Sequence, residues 1–215
     1  MIGDDVVALD VMDSENVFEG RVWNVRRDTV SYNDATMTRD YVVHPGAVGI
    51  IAINEHADLL LVNQYRHPMG MKMWEPPAGL LDVADESALD AAKRELLEET
   101  GYVASTWNVL VDFANTPGGS TEMLRCFLAQ GLTEHPQGRP ARYDEEQDMP
   151  IQWVPVTEVL EAIHAGHVTN VLLVTGTLAL LTALAQPQAL RPPDAAWPAR
   201  NTLLENNRIF TPPPK

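Results

Sequence analysis

The alternation of apolar and polar residues predicts strands in the amino-terminal part of the chain. Residues 16–32 and 37–44 alternate in this way on either side of the turn-rich NDAT, which is typical of strands with one solvated face. The segments GAVGIIAI at 46–53 and LLLVNQYR at 59–66 are strongly apolar and predict two further strands. The short polar NEHAD between them predicts a hairpin.

Three further segments have the composition of strands, namely TWNVLVDFA, EMLRCFLAQ and IQWVPV, and the turn NTPGGST separates the first two. Apolar residues recur at helical spacing in 157–167 and 169–185. The longest apolar run, 171–185, is interrupted by Thr and Gly and is shorter than the roughly 20 residues that a membrane-spanning helix needs. We therefore expect a buried helix there.

These patterns predict three regions. An amino-terminal β arm at 1–45 precedes a folded domain at 46–185, and residues 186–215 form a Pro-rich tail. Because the tail is rich in proline, we expect it to be extended and to contribute little to the core.

Composition and charge restrict the partners and the compartment. Thirty acidic residues against 15 basic residues give a formal net charge of −15, so the overall field repels nucleic acid and anionic membranes. The single cysteine, Cys126, excludes an internal disulfide, which fits a reducing compartment. The acidic amino terminus lacks the features of a signal peptide, and we expect a cytoplasmic protein.

A helix is predicted from Glu86 to Thr100, with Asp85 as its N-cap and Gly101 as its C-cap. Its sequence ends in RELLEETGY. At 3.6 residues per turn, Glu95 and Glu99 fall on the apolar face and Glu98 falls at the margin of that face. Surface glutamates are the ordinary interpretation of such a run, but two carboxylates on the buried face repel each other unless a cation or a proton neutralises them.

The cations next to these carboxylates in sequence are Lys93 and Arg94. Both project from other sides of the helical wheel. A divalent metal bound by carboxylate oxygens is then the simplest way to neutralise the pair, and Mg²⁺ commonly binds one or two carboxylates together with water and phosphate.

This segment resembles the Nudix box of the Nudix hydrolase family. The residues that carry the resemblance are Gly79, Glu86, Arg94, Glu95, Leu96, Glu98, Glu99 and Gly101. Six residues rather than the usual five separate Gly79 from Glu86. Either Asp85 replaces the box glutamate or the loop has one extra residue, and the seven-residue spacing from Glu86 to Arg94 favours the extra residue. The resemblance implies an α+β fold, a Nudix-type α/β/α sandwich with a mixed sheet, here preceded by an antiparallel β arm.

Flanking segments are similar to the ADP-ribose pyrophosphatase branch of this family, in its actinobacterial form. They are HPGAV at 44–48, QYRHP at 64–68, WEPPAGLLD at 74–82 and Pro117, sixteen residues beyond Gly101. This likeness implies Mg²⁺-dependent hydrolysis of ADP-ribose to AMP and ribose 5-phosphate, with Mn²⁺ as a possible substitute. It also implies a homodimer whose amino-terminal arms contribute to each substrate pocket.

The likeness also assigns roles to individual residues. Glu95, Glu99 and the carbonyl of Ala78 would bind metal, with Glu98 as an additional ligand, while Gly79, Glu86, Arg94 and Gly101 would be structural. The general base would come from the loop YDEEQDMPIQW, where we favour Glu145 and hold Glu146 as the alternative.

Substrate contacts are predicted for five residues outside the box: Arg66, Glu75, Trp23, Pro117 and Gly118. A guanidinium such as that of Arg66 can form paired hydrogen bonds with phosphate oxygens, and we favour this role over that of a solvent-facing residue at a strand end. An indole such as that of Trp23 can stack on a base, although packing is the more frequent role of a strand tryptophan. Glu75 would bind the terminal ribose or assist the metal site. Pro117 and Gly118 would shape the pocket wall.

Two other functions are compatible with the box. One is hydrolysis of another nucleoside diphosphate derivative, such as a nucleotide sugar, NADH, a dinucleoside polyphosphate or an oxidised nucleotide. The other is a non-catalytic sensor of ADP-ribose, which would call for an added DNA-binding module with a basic recognition helix.

Overall fold

The computed structural model describes residues 2–140, 149–185 and 190–211. These residues include a 3₁₀ turn at His67–Met69. The strands are β1 (Val11–Glu19), β2 (Asn24–Tyr32), β3 (Ala35–Val43), β4 (Ala47–Ala52), β5 (Asp58–Arg66), β6 (Met71–Glu75), β7 (Ala78–Leu80), β8 (Tyr102–Ala114), β9 (Met123–Glu134) and β10 (Ile151–Pro155), and the helices are α1 (Ala88–Thr100), α2 (Val156–His164), α3 (Val171–Ala185) and α4 (Pro198–Glu205).

The amino-terminal arm is an antiparallel sheet in the order β1-β2-β3. Asn33 and Asp34 both have positive φ, at 49° and 59°, which is the backbone of the tight turns that suit two-residue hairpins. The alternating segment 16–32 lies in two strands, β1 and β2, rather than in one. Every residue of β1 is exposed, so this edge strand contributes no residue to the hydrophobic core.

The remaining strands form two sheets, in the orders β10-β5-β6 and β7-β4-β9-β8. The predicted hairpin between β4 and β5 is wrong: the two strands lie in different sheets, and one isolated bridge, Ile53 to Leu59, joins their ends. The larger sheet is mixed, as expected, because β4 runs parallel to β9 and antiparallel to β7.

The larger sheet is covered on both faces, which explains why β4 is apolar at every position. Val48, Ile50 and Ala52 belong to the hydrophobic cluster that contains the apolar residues of α1. Ala47 and Ile51 belong to the cluster that contains α2 and α3. Since successive side chains of a strand point to opposite faces, the helices lie in two layers with the sheet between them.

Helix α3 is buried against this sheet, as its composition predicts, with Leu173 and Leu180 almost inaccessible to solvent. A methyl group at Gly176 would lie 2.7 Å from Ile51, so α3 approaches the strand closely. Over the part of the chain that the structure describes, no helix combines the length and apolar character needed to cross a membrane.

The expectation of an extended tail is wrong for residues 197–210. Pro198–Glu205 forms α4, and the side chains of Trp197 and Phe210 on either side of it are buried. Proline at the first turn of a helix is compatible with helix formation because its missing N–H would have no partner there. A high proline content therefore did not imply an extended chain in this part of the tail.

By internal contacts the chain divides into two compact units. The first comprises residues 1–46, 114–123 and 197–215, and the second comprises 47–113 and 124–196. The glutamate-rich helix α1 lies wholly in the second unit.

Candidate active site

Helix α1 begins two residues later than the sequence predicts, at Ala88 rather than Glu86. The hydroxyl of Ser87 accepts a hydrogen bond from the Asp90 N–H at 3.1 Å and so caps the helix, while Asp85 has a positive φ of 61° in the preceding loop. Serine and aspartate are equally good N-caps, so composition could not choose between them. Gly101 is the C-cap, as predicted, with φ of 79°.

The three glutamates near the end of α1 differ in burial in the order that helical geometry predicts. Glu99 is buried, with 6% of its surface exposed. The side chain of Glu95 is 15% exposed and that of Glu98 is 45% exposed. The helix therefore turns Glu95 and Glu99 inward and leaves Glu98 at the margin.

Arg94 joins three carboxylates, which corrects the expectation that its side chain points elsewhere. Its Nε and Nη2 donate to Glu86 at 2.8 and 2.9 Å, and its Nη1 donates to Glu95 at 2.6 Å and to Glu98 at 3.1 Å. The hydrogen bonds to Glu86, together with the charges of Glu86 and Glu95, raise the pKa of Arg94 above its ordinary value. A helical wheel places only Cβ, whereas this long side chain reaches back across the helix surface.

Strand β7 holds the two inward glutamates from the other side. The N–H of Ala78 donates to Oε2 of Glu99 at 3.0 Å. A methyl group at Gly79 would overlap the Glu95 carboxylate, so only glycine lets that carboxylate lie against the strand. The two glycines thus have different roles: Gly79 makes room for the Glu95 carboxylate, and Gly101 ends the helix.

The donor chemistry of this cluster fits a hard divalent cation. Carboxylate oxygens and main-chain carbonyls are the ligands that Mg²⁺ and Ca²⁺ prefer, and one guanidinium leaves the four carboxylates of Glu86, Glu95, Glu98 and Glu99 with excess negative charge. Within residues 2–140, 149–185 and 190–211, no group of three or more His, Cys, Asp or Glu side chains is arranged to hold a metal ion. Arg94 engages two of the expected ligands.

Arg66 and Glu75 form a bidentate pair between β5 and β6. Arg66 Nε donates to Oε1 at 2.9 Å and Nη2 donates to Oε2 at 2.6 Å. Glu75 is buried, whereas 43% of the Arg66 side chain is exposed. The buried carboxylate therefore fixes the plane of a guanidinium that still faces solvent, an arrangement suited to binding phosphate.

The other predicted contact residues, Trp23, Pro117 and Gly118, lie in the first unit. Trp23 is exposed just before β2. Pro117 and Gly118 line a cavity of about 430 Å³ together with Tyr41 and Arg39 of β3. Both therefore line a cavity of the first unit, and their place in the wall of a substrate pocket stays a prediction.

The predicted general bases, Glu145 and Glu146, lie outside the described residues. Sequence reasoning missed Arg139, whose Nε donates to the Glu98 carbonyl and whose Nη1 donates to the Met149 carbonyl, both at 3.4 Å. No local pattern signals these contacts, because they join residues 41 and 10 positions apart.

The chain is similar in sequence to known proteins. Residues 43–172 match the NUDIX domain model. The chain is 41% identical to an ADP-ribose pyrophosphatase of Mycobacterium tuberculosis, over 93% of this chain and 96% of that protein. It is 31% identical to an ADP-ribose pyrophosphatase of Bacillus subtilis, over 72% of this chain and 82% of that protein.

The chain is also similar to one protein with a different name and to one solved structure. A methanol dehydrogenase activator of Bacillus methanolicus is 35% identical over 70% of this chain and 80% of that protein. A solved structure described as an ADP compounds hydrolase superposes with a TM-score of 0.70 at 20% identity, covering 86% of this chain and 98% of that one. At that identity the structural match supports the fold.

Proposed function

This chain belongs to the Nudix family, and on that premise we propose that it hydrolyses the diphosphate of ADP-ribose to AMP and ribose 5-phosphate. The two relatives named ADP-ribose pyrophosphatase support this substrate, and the first of them aligns along nearly its whole length. The chain's own support is the inward placement of Glu95 and Glu99 beside strand β7, with Glu99 buried and the Glu95 side chain 15% exposed.

The inward placement of two carboxylates supports the proposal, because it lowers the stability of the fold unless a bound ligand offsets their charge. Two carboxylates held on the inner face of one helix lose hydration and repel each other. Arg94 offsets part of the charge through Glu95, and the Ala78 N–H offsets part of it through Glu99. A divalent cation would complete the neutralisation, and the same cation would bind the anionic diphosphate of the substrate.

We assign the metal, Mg²⁺ or Mn²⁺, to Glu95, Glu99 and the carbonyl of Ala78, with Glu98 as an additional ligand. When bound, the ion supplies charge neutralisation for the diphosphate and a lowered pKa for an attacking water. Arg94 holds Glu95 and Glu98 in place through its hydrogen bonds. Glu86 and Gly101 act on the same carboxylates indirectly, by fixing Arg94 and the helix end.

Arg66 is assigned to the phosphates of the substrate. Glu75 orients its guanidinium through two hydrogen bonds, so that the cation is in place before substrate arrives. Trp23 is assigned to the adenine by stacking. Pro117 and Gly118 are assigned to the pocket wall, which their position in the 430 Å³ cavity supports.

A loop carboxylate, Glu145 in preference to Glu146, is assigned as the general base that removes the proton from the attacking water. Replacing Glu145 and Glu146 separately with glutamine and measuring kcat for each variant distinguishes them.

We further propose a homodimer formed through the arm at residues 1–45, in a cytoplasmic protein. Strand β1 exposes Val11, Met12, Val17 and Phe18, and exposed apolar residues on the edge strand of a sheet commonly mark an interface. The buried, unpaired thiol of Cys126 is compatible with a reducing compartment. Light scattering of the full chain should give twice the chain mass, and the double substitution Val17→Asp and Phe18→Asp should halve it. A monomeric wild type refutes the dimer.

The substrate proposal is tested with purified protein and Mg²⁺ on ADP-ribose, NADH, diadenosine polyphosphates, nucleotide sugars and nucleoside triphosphates, followed by product chromatography. ADP-ribose should have the highest kcat/KM and should give AMP and ribose 5-phosphate. A higher kcat/KM for another compound overturns the substrate assignment. Binding of ADP-ribose without turnover of any compound supports the sensor alternative.

A further inference from the structure

Residues 135–139 pack against the carboxyl end of helix α1, beyond the glutamates. The N–H of His135 donates to the Gly101 carbonyl at 2.8 Å, which brings residues 135–139 against the end of the helix. A methyl group at Gly101 would lie 3.1 Å from the Arg139 nitrogen and 3.2 Å from its Cα. Gly101 is therefore constrained twice, by its positive φ and by the close approach of this segment.

The side chain of Arg139 links two main-chain carbonyls from this position. Its Nε bonds the Glu98 carbonyl in the last turn of α1, and its Nη1 bonds the Met149 carbonyl. Cations at the carboxyl end of a helix are stabilised by the helix dipole, and α1 has no basic residue of its own in its last turn. Arg139 supplies that charge from outside the helix.

Met149 is itself fixed within the second unit. Its side chain is 2% exposed, and the neighbouring Pro150 carbonyl accepts a hydrogen bond from the Asn63 N–H of β5 at 3.0 Å. Arg139 therefore joins the helix to a point that is already anchored on the sheet. The hydrogen bond from Arg139 to the Met149 carbonyl therefore restrains the end of α1 relative to the sheet.

The Nη2 of Arg139 is buried and has no hydrogen-bond partner among the residues that the structure describes. A buried donor without an acceptor costs about 1–3 kcal/mol, and such groups in native proteins call for an explanation other than stability. A residue kept for stability alone would be expected to satisfy all of its donors.

We infer that Arg139 is a positioning residue for catalysis: it ties the last turn of α1, which carries Glu98 and Glu99, to the carbonyl of Met149. The inference rests on the proposed function, because it assigns Arg139 to the same hydrolysis. Through these two hydrogen bonds Arg139 holds the last turn of α1, and with it Glu98 and Glu99, at a fixed position relative to Met149.

The experiment compares Arg139→Gln and Arg139→Lys with the wild-type enzyme in the hydrolysis of ADP-ribose. Displacement of a reacting group by about 1 Å costs roughly 10²-fold in rate, so kcat should fall about 10- to 100-fold in Arg139→Gln. The KM for ADP-ribose should stay within about twofold, because Arg139 is not assigned to the substrate. The Mg²⁺ concentration for half-maximal activity should rise, because the turn that Arg139 holds carries Glu98 and Glu99. Arg139→Lys, which can bond one carbonyl but not both, should recover part of the loss.

Arg191→Gln is the matched control. Arg191 also belongs to the second unit and also anchors a connecting segment, through Asp112 at 2.7 Å, but it makes no contact with α1 among the hydrogen bonds and ion pairs described. Its kcat should equal that of the wild type. Thermal unfolding of each variant separates loss of fold from loss of positioning.

A folded Arg139→Gln protein with wild-type kcat overturns the inference, as does an increase in KM that matches the fall in kcat. So does a fall in kcat no larger than that of Arg191→Gln. If Arg139→Gln does not fold, wild-type kcat in Arg139→Lys overturns the inference and a reduced kcat at unchanged KM supports it. Failure of the wild type to hydrolyse any compound refutes the proposed function instead, and is recognised before any variant is made.

Discussion

The substitution Gly79→Ala tests the placement of Glu95 without changing any charge. A methyl group at position 79 would overlap the Glu95 carboxylate, and real Cβ atoms keep at least 3.0 Å from other heavy atoms. We therefore expect the carboxylate to move away from β7 by about 1 Å, a displacement that typically costs about 10²-fold in rate. This corresponds to about 2.7 kcal/mol of transition-state stabilisation.

The matched control is Gly49→Ala on the adjacent strand. Gly49 pairs with Ala78 in the ladder between β4 and β7, one position from the pair of Val48 and Gly79. Its added methyl would overlap Leu172 of α3 instead, on the opposite face of the sheet. Overpacking there should cost about 1–3 kcal/mol of unfolding free energy and leave kcat unchanged.

The assay is AMP formation from ADP-ribose across a range of Mg²⁺ concentrations, at a temperature where circular dichroism shows both variants to be folded. Gly79→Ala should show a lower kcat and need more Mg²⁺ for half-maximal activity, because one metal ligand is displaced. Gly49→Ala should show a lower unfolding temperature only. Wild-type kcat and Mg²⁺ dependence in folded Gly79→Ala would refute the assignment of Glu95 to the metal.

Three further outcomes are expected. Glu99→Gln should fold, because its amide oxygen can still accept from the Ala78 N–H, and should lose at least about 10²-fold in kcat at ordinary Mg²⁺; full activity would exclude Glu99 as a ligand. Of Glu145→Gln and Glu146→Gln, only the one that removes the base should lower kcat by about 10²- to 10⁴-fold, with the Glu145 variant expected to be the inactive one. Burial lowers the pKa of His44 below its ordinary 6.5, so the unfolded chain binds a proton more readily, and the contribution of His44 to stability is present above pH 6.5 and lost as pH falls below it. The free energy of unfolding, measured by chemical denaturation, should change less between about pH 7.5 and about pH 5 in His44→Asn than in the wild type. An equal change in both proteins would contradict this role of His44.

Local sequence determined helix α1 and the ordering of its glutamates. Helix periodicity depends only on residue spacing, so Glu95 and Glu99 could be placed on the inner face and Glu98 at its edge without knowledge of the rest of the chain. Most strands and α3 followed from apolar patterning for the same reason. The choice of Ser87 over Asp85 as N-cap was not determined locally, since both residues cap helices equally well.

Only the tertiary structure decided features that join distant residues. It separated β4 and β5 into different sheets, although a short polar connection suggested a hairpin. It buried Trp197 and Phe210 in a tail whose composition suggested extended chain. Strand pairing and burial depend on partners elsewhere in the chain, which no local window contains.

The same division applies within the candidate site. The sequence by itself determined which carboxylates lie inward, because they share one helix. It did not determine that Arg94 bonds three of the carboxylates, that Glu75 orients Arg66, or that Arg139 bonds two carbonyls at the helix end. Long flexible side chains reach their partners through rotamers that tertiary packing selects, and this is why only the folded chain decided how the glutamates of α1 are held.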